Sequence, residues 1–147
     1  MSYLRNKGLQ VQEYLYDFAV DGGSTGAIDL SAKAGYDPLP DNAIVLDVVG
    51  QVLTAVAGTS STLAVGNTTD ADGYLVATAE ATLVADYVWR AGVSTHVLLW
   101  DDTNDHHIPF LANSANDRVF SVTIGTADLT AGKVLFYVMF LYGSVQS

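Results

Sequence analysis

Metal-ligating and acid–base side chains crowd together in one stretch, "DDTNDHHIP" (101–109), where Asp101, Asp102 and Asp105 stand beside His106 and His107. Carboxylate oxygens and imidazole nitrogens at this density suit zinc, manganese or iron, with Asp101, Asp105, His106 and His107 as the ligand set. Neighbouring residues of an extended chain point to opposite sides, so the two histidines converge on one ion only where the backbone turns, which Asn104 and Pro109 permit. Against a metal stands the lack of a second histidine pair, His96 being the only other histidine. The expected role is therefore a solvated loop between two strands, and no metal is assigned. Any contact made through its histidines should change between roughly pH 5 and 8.

Elsewhere the parts of an active site do not assemble. "NTTDADG" (67–73) has the look of a calcium loop, with Thr68, Asp70, Asp72 and Gly73 at positions one, three, five and six. Position twelve is Ala79, so the bidentate glutamate is lacking, and an Asx-type turn is expected instead. There is no G-x-S-x-G elbow, and "GGSTG" (22–26) has no phosphate-binding lysine. With Glu13 and Glu80 the only glutamates and no cysteine, neither a glycosidase pair nor a thiolate site stands out. The expectation is a protein that is not an enzyme, with no catalytic residue and no cofactor.

The elements that position these residues read as strands. Half of the 147 residues are apolar and 15% are charged, the pattern of one domain with a buried core. A net charge of -10 repels a phosphate backbone, so nucleic acid is not expected as a partner. The opening "MSYLRNKGLQ" lacks the apolar run of a signal peptide. The run "VLFYVMFLY" (134–142) is about half the roughly 20 residues of a membrane-spanning helix. A soluble chain without a membrane partner is expected.

Apolar residues recur with period two, punctuated by Gly, Asp, Asn and Thr. In "EYLYDFAV" Tyr14, Tyr16, Phe18 and Val20 share one side of a predicted strand, with Glu13 and Asp17 on the other. A long loop follows, with a short strand at 27–30. "AIVLDVVGQVLTAVAG" (43–58) reads as a long central strand, with Ile44, Leu46, Val48, Val52 and Val56 inward and Asp47 and Gln51 outward. "STLAVGN", "GYLVATA", "ATLVADYVWR", "THVLLW" and "RVFSVTI" continue in the same way, with Leu83, Tyr87 and Trp89 opposite Asp86 and Arg90. "GYLVATAEATLVA" also has helical composition, but strand is preferred. In the last strand, "KVLFYVMFLYG", both parities are apolar: Val134, Phe136, Val138 and Phe140 on one, Leu135, Tyr137, Met139 and Leu141 on the other. Without a βαβ rhythm to bury both faces, the second needs cover from a loop of the chain or from a neighbouring subunit. The subunit is preferred, so Leu135, Tyr137, Met139 and Leu141 are the expected interface. The fold expected is all-β: a single-domain antiparallel β-sandwich, jelly-roll-like.

The run "PDNAIVLDVVGQVLTAVAGTSSTLAVGNTTDADGYLVATA" (40–79), with "DRVFSVTIGTADLTAGKVLFYVMFLYG" (117–143), resembles the decoration or cement proteins of tailed-bacteriophage heads. Its motifs, "LAVGNTTDADGYL" and "IGTADLTAGK", are phrases of a fold and not of an active site. The resemblance implies a sandwich subunit, often trimeric, seated where major capsid proteins meet, with no catalysis and no cofactor. It implies the major capsid protein and further copies of the chain as partners. The place implied is the capsid exterior of the virion, after synthesis in the host cytoplasm. Residues 1–10 then read as an arm, with Tyr3, Leu4, Arg5, Lys7 and Leu9 as capsid contacts, and 11–147 as the sandwich. A rival is a carbohydrate- or receptor-binding sandwich of a phage fibre or spike, using Trp89, Trp100 and Tyr74 as sugar platforms. A second rival is a metal-dependent jelly-roll enzyme built on the 101–107 loop.

Overall fold

The alternation of "LQVQEYLY" places a strand, β1, at Gly8–Asp17. The computed structural model describes residues 8–90 and 110–142. β1 ends where the Asp17 carboxylate accepts the Ala19 N–H at 3.0 Å and the Asp17 N–H donates to Asp21 Oδ2 at 2.8 Å. This exchange caps a single helical turn, α1 (Phe18–Asp21). The expected strand through Val20 is thereby corrected: Phe18 packs at the margin of the core and Val20 is exposed. The Asp17 side chain satisfies one of the turn's first donors, the Ala19 N–H, and a helical turn has no period-two face.

The other strands are β2 (Gly26–Asp29), β3 (Ala43–Gly58), β4 (Thr62–Gly66), β5 (Leu75–Ala79), β6 (Val88–Arg90), β7 (Phe110–Ala112), β8 (Ser121–Gly125) and β9 (Leu129–Tyr142). Glu80–Thr82 forms a 3-10 turn after β5, so the strand reading of "GYLVATA" holds and the helix-forming residues that follow it make only one tight turn. Setting the three-residue β7 aside, the strands pair as one long folded hairpin: β1 with β9, β2 with β8, β3 with β6, β4 with β5, all antiparallel. Alternate pairs join through β9–β3 and β8–β4 into a five-stranded and a four-stranded sheet. This is the expected all-β antiparallel sandwich.

The long strand β3 has the bounds expected of it, but its inward parity switches. A register shift between Val45 and Asp47 inserts one residue against β9, which exchanges the faces of the strand. Before the bulge Ala43 and Val45 point inward; after it Val48, Val52 and Val56 do. Ile44, expected in the core, is 39% exposed. Tyr87 is likewise exposed, because residues 83–87 form a turn and only Leu83 and Trp89 reach the core.

Between the sheets runs an aromatic stack. Phe120 lies parallel to Tyr14 at 4.5 Å between ring centroids, Tyr74 stacks with it at 6.0 Å, and Phe136 tilts against it at 5.5 Å. The Tyr14 hydroxyl donates to the Asp37 carbonyl at 2.6 Å and that of Tyr16 to the Gly22 carbonyl at 2.8 Å. Burial holds the phenols of Tyr16 and Tyr74 up at about 12, and Tyr14 higher still, since a phenolate would have to leave water. The unfolded chain loses these protons near pH 10, ahead of the native one. The stability contributed by keeping them neutral is therefore complete below about pH 10 and lost as pH climbs towards about 12. A pH titration followed by phenolate absorbance and circular dichroism should show these phenols ionising together with unfolding. Smooth ionisation with the strands intact would contradict the assigned burial.

Candidate functional site

Both parities of β9 are apolar, and the sandwich uses only one. Val134, Phe136, Val138 and Phe140 lie in the core. Leu135, Tyr137, Met139 and Leu141 point away from it, the first three half-buried by strand neighbours and Leu141 38% exposed. Register builds their surroundings. Leu9 of β1, Leu141 of β9, Ile44 of β3 and Leu111 of β7 are direct cross-strand partners, so four aliphatic side chains form a row across the sheet. Val11 and Met139 form the next row with Asp47, and Glu13, Tyr137 and Val49 the one after. Leu9, Val11 and Leu111 are 65%, 56% and 46% exposed.

Charges on this face are largely neutralised in place. Arg90 holds Asp47 at 2.7 Å and Lys133 holds Asp17 at 3.2 Å. Exposed pairs of this kind add little stability, but each neutralises its carboxylate locally without changing the net charge. Sequence reasoning placed the β9 residues outside the core and missed that Val11, Ile44 and Leu111 share their face. The signal for Val11 lay in "LQVQEYLY", where Leu9, Val11 and Leu15 share the parity opposite Tyr14 and Tyr16. Leu111 gave none, because its neighbours are set only by sheet order.

The other expected sites fall differently. Leu9, assigned to an arm, is part of β1 and pairs with Leu141, so strand β1 already runs at Gly8, the first described residue. Tyr3, Leu4, Arg5 and Lys7 lie outside the described residues, as do Asp101, Asp105, His106, His107, His96, Trp100 and the strand expected at "THVLLW". Trp89 and Tyr74 are each 2% exposed, Trp89 packing on Phe136, so neither is a platform for a sugar.

The 67–73 loop is an Asx turn: Asn67 Oδ1 accepts the N–H groups of Thr69 and Asp70 at 2.9 and 2.8 Å. It walls a cavity of about 380 Å³ with Tyr74 and Phe110, where the Tyr74 hydroxyl faces Asn67 without a well-formed hydrogen bond. Among the described residues, no three His, Asp or Glu side chains are placed to share a metal, and no helix is long and apolar enough to cross a membrane.

No protein-family model matches the chain, and no curated protein matches it in sequence. Among solved structures it is similar to a chain of the cyanophage Pam1 capsid asymmetric unit, at 19% identity over 92% of this chain and 86% of that one, with a TM-score of 0.54. It is also similar to a chain of the capsid of Ralstonia phage GP4, at 18% identity over 91% and 85%, with a TM-score of 0.54. At these identities the likeness is one of fold.

Proposed function

We propose that this protein is a structural component of a phage virion: a decoration, or cement, protein that binds the outer surface of the major capsid lattice as a trimer and stabilises the head, without catalysis or cofactor. The reading rests chiefly on the fold likeness to chains of two phage capsids. Each match covers at least 85% of the other chain, so the partner in each is a small chain of comparable size. The apolar outer face of the larger sheet is the second support, since a subunit contact accounts for Leu135, Tyr137, Met139 and Leu141 lying outside the core.

The mechanism is linkage. A protein that binds the mature lattice and not its precursor stabilises the former by mass action, and each contact adds to the shell's resistance to internal pressure. Charge points to how the lattice is held. All four described cations are engaged within the subunit: Lys33 with Asp21, Arg90 with Asp47, Lys133 with Asp17, and Arg118 with the Leu39 carbonyl. Arg5 and Lys7 are the remaining two, and with Tyr3 and Leu4 they are the proposed capsid contacts.

The test is co-sedimentation with empty heads. Wild-type protein should saturate the shell and raise the temperature at which heads rupture. Removing residues 1–7, which leaves β1 whole, should weaken binding about tenfold or more, equivalent to about 1.4 kcal/mol. Failure of the wild type to co-sediment would dispose of the decoration reading, and unchanged binding by the trimmed chain would dispose of the arm.

A further inference from the structure

We infer that the outer face of the β1–β9–β3–β7 sheet is where copies of this chain meet, through the row Leu9, Leu141, Ile44 and Leu111 and the adjoining Val11 and Met139. This rests on the oligomeric part of the proposed function and enlarges its interface from one strand to four.

Two observations select another copy of the chain as the occupant. The first is charge. A chain of net charge -10 repels its own copies over most of its surface. On this face Asp47 is paired with Arg90 and Asp17 with Lys133, which leaves Glu13 as its one carboxylate without an ion-pair partner among the described residues. Other described carboxylates, such as Asp37, Asp41, Asp72, Asp86 and Asp117, stand on loops and not on these strands. Two copies that approach here therefore meet Glu13 as the one unpaired carboxylate of these strands, less like charge than the acidic loops present.

The second is area. The exposed aliphatic side chains with the half-buried Leu135, Tyr137 and Met139 present on the order of 500 Å² of apolar surface, the upper end of what a monomer carries. That is more than half of the about 800 Å² per partner that a standard interface buries. A basic partner would find little to bind here, since the acids on the strands are already paired.

The experiment reads mass by light scattering. Val11→Lys and Leu111→Lys place a charge on the two flanking strands of the face at positions already exposed in the subunit, and Val76→Lys, at 41% exposed on β5 of the other sheet, is the control. Wild type and V76K should have a multiple of 15.6 kDa, while V11K and L111K fall to 15.6 kDa with unchanged circular dichroism. The chain has no cysteine, so a polarity-sensitive dye on Val11→Cys gives a second reading: its emission should shift to the red on dilution, and the same dye on Val76→Cys should not. A monomeric wild type, lysine variants that keep the oligomeric mass, or a Val11 label indifferent to dilution would each overturn the inference. A monomeric wild type that still coats heads would leave the decoration reading standing, and an oligomer that ignores heads would remove that reading alone.

Discussion

Phe120→Ala is expected to cost about 4 kcal/mol of folding stability, within the range for removing a fully buried phenylalanine. The ring is 0% exposed and is the meeting point of the core: Tyr14 and Tyr74 stack on it and Phe136 tilts against it. Tyr14 and Phe136 come from the larger sheet, and Phe120 leads into β8 of the smaller one, so the ring joins the two layers. Its backbone is tied as well: the carbonyl accepts from Leu30 and Ser31, and the N–H donates to Ser31 Oγ at 3.2 Å. Those bonds hold the backbone in place and hinder collapse around the missing ring, which keeps the cost above that of lost transfer energy alone. Urea unfolding should give the loss directly, and Tm should fall on the order of 10 °C. A loss below about 1 kcal/mol would mean that the two sheets do not pack through this ring.

Gly66→Ala is expected to destabilise by about 2 to 3 kcal/mol, for a different reason. A Cβ at this position would overlap the backbone carbonyl of Asp70, and the Ala71 backbone stands close behind it. Backbone cannot rotate away as a flexible side chain can, so the 67–73 loop must lift. Lifting it strains the Asn67 N–H to Asp70 carbonyl bond at 2.8 Å and the two bonds accepted by Asn67 Oδ1. Amide exchange should accelerate at Thr69 and Asp70 well before it does in β9. Global destabilisation without a local change at the loop would refute the close-approach explanation. "VGNTTDADG" thus owes its pattern to packing: Gly66 admits the returning loop, and Asn67 satisfies its amides.

Strand identity was legible over most of the sequence where the period stayed at two, but "ATLVADYVWR" keeps that period and is a strand only at Val88–Arg90. β3 has the limits read from "AIVLDVVGQVLTAVAG", and the inward residues of β9 are the ones its alternation assigns. The misreadings have local causes. A capping carboxylate at Asp17 ended β1 early and exposed Val20. One extra residue near Leu46 exchanged the faces of β3 and put Val45, not Ile44, in the core. Neither change alters composition or hydrophobicity, so a reading by period alone passes over both.

Composition and alternation alone determined an acidic, all-β chain and marked β9 as apolar on both sides. Side-chain alternation is set by the geometry of each strand, independent of its partners. Only the tertiary structure decided that Leu9, Leu141, Ile44 and Leu111 stand in one row, and that Arg90 and Lys133 quiet the charge around them. Register and sheet order are contacts between residues distant along the chain, fixed by how two sheets close on a shared core.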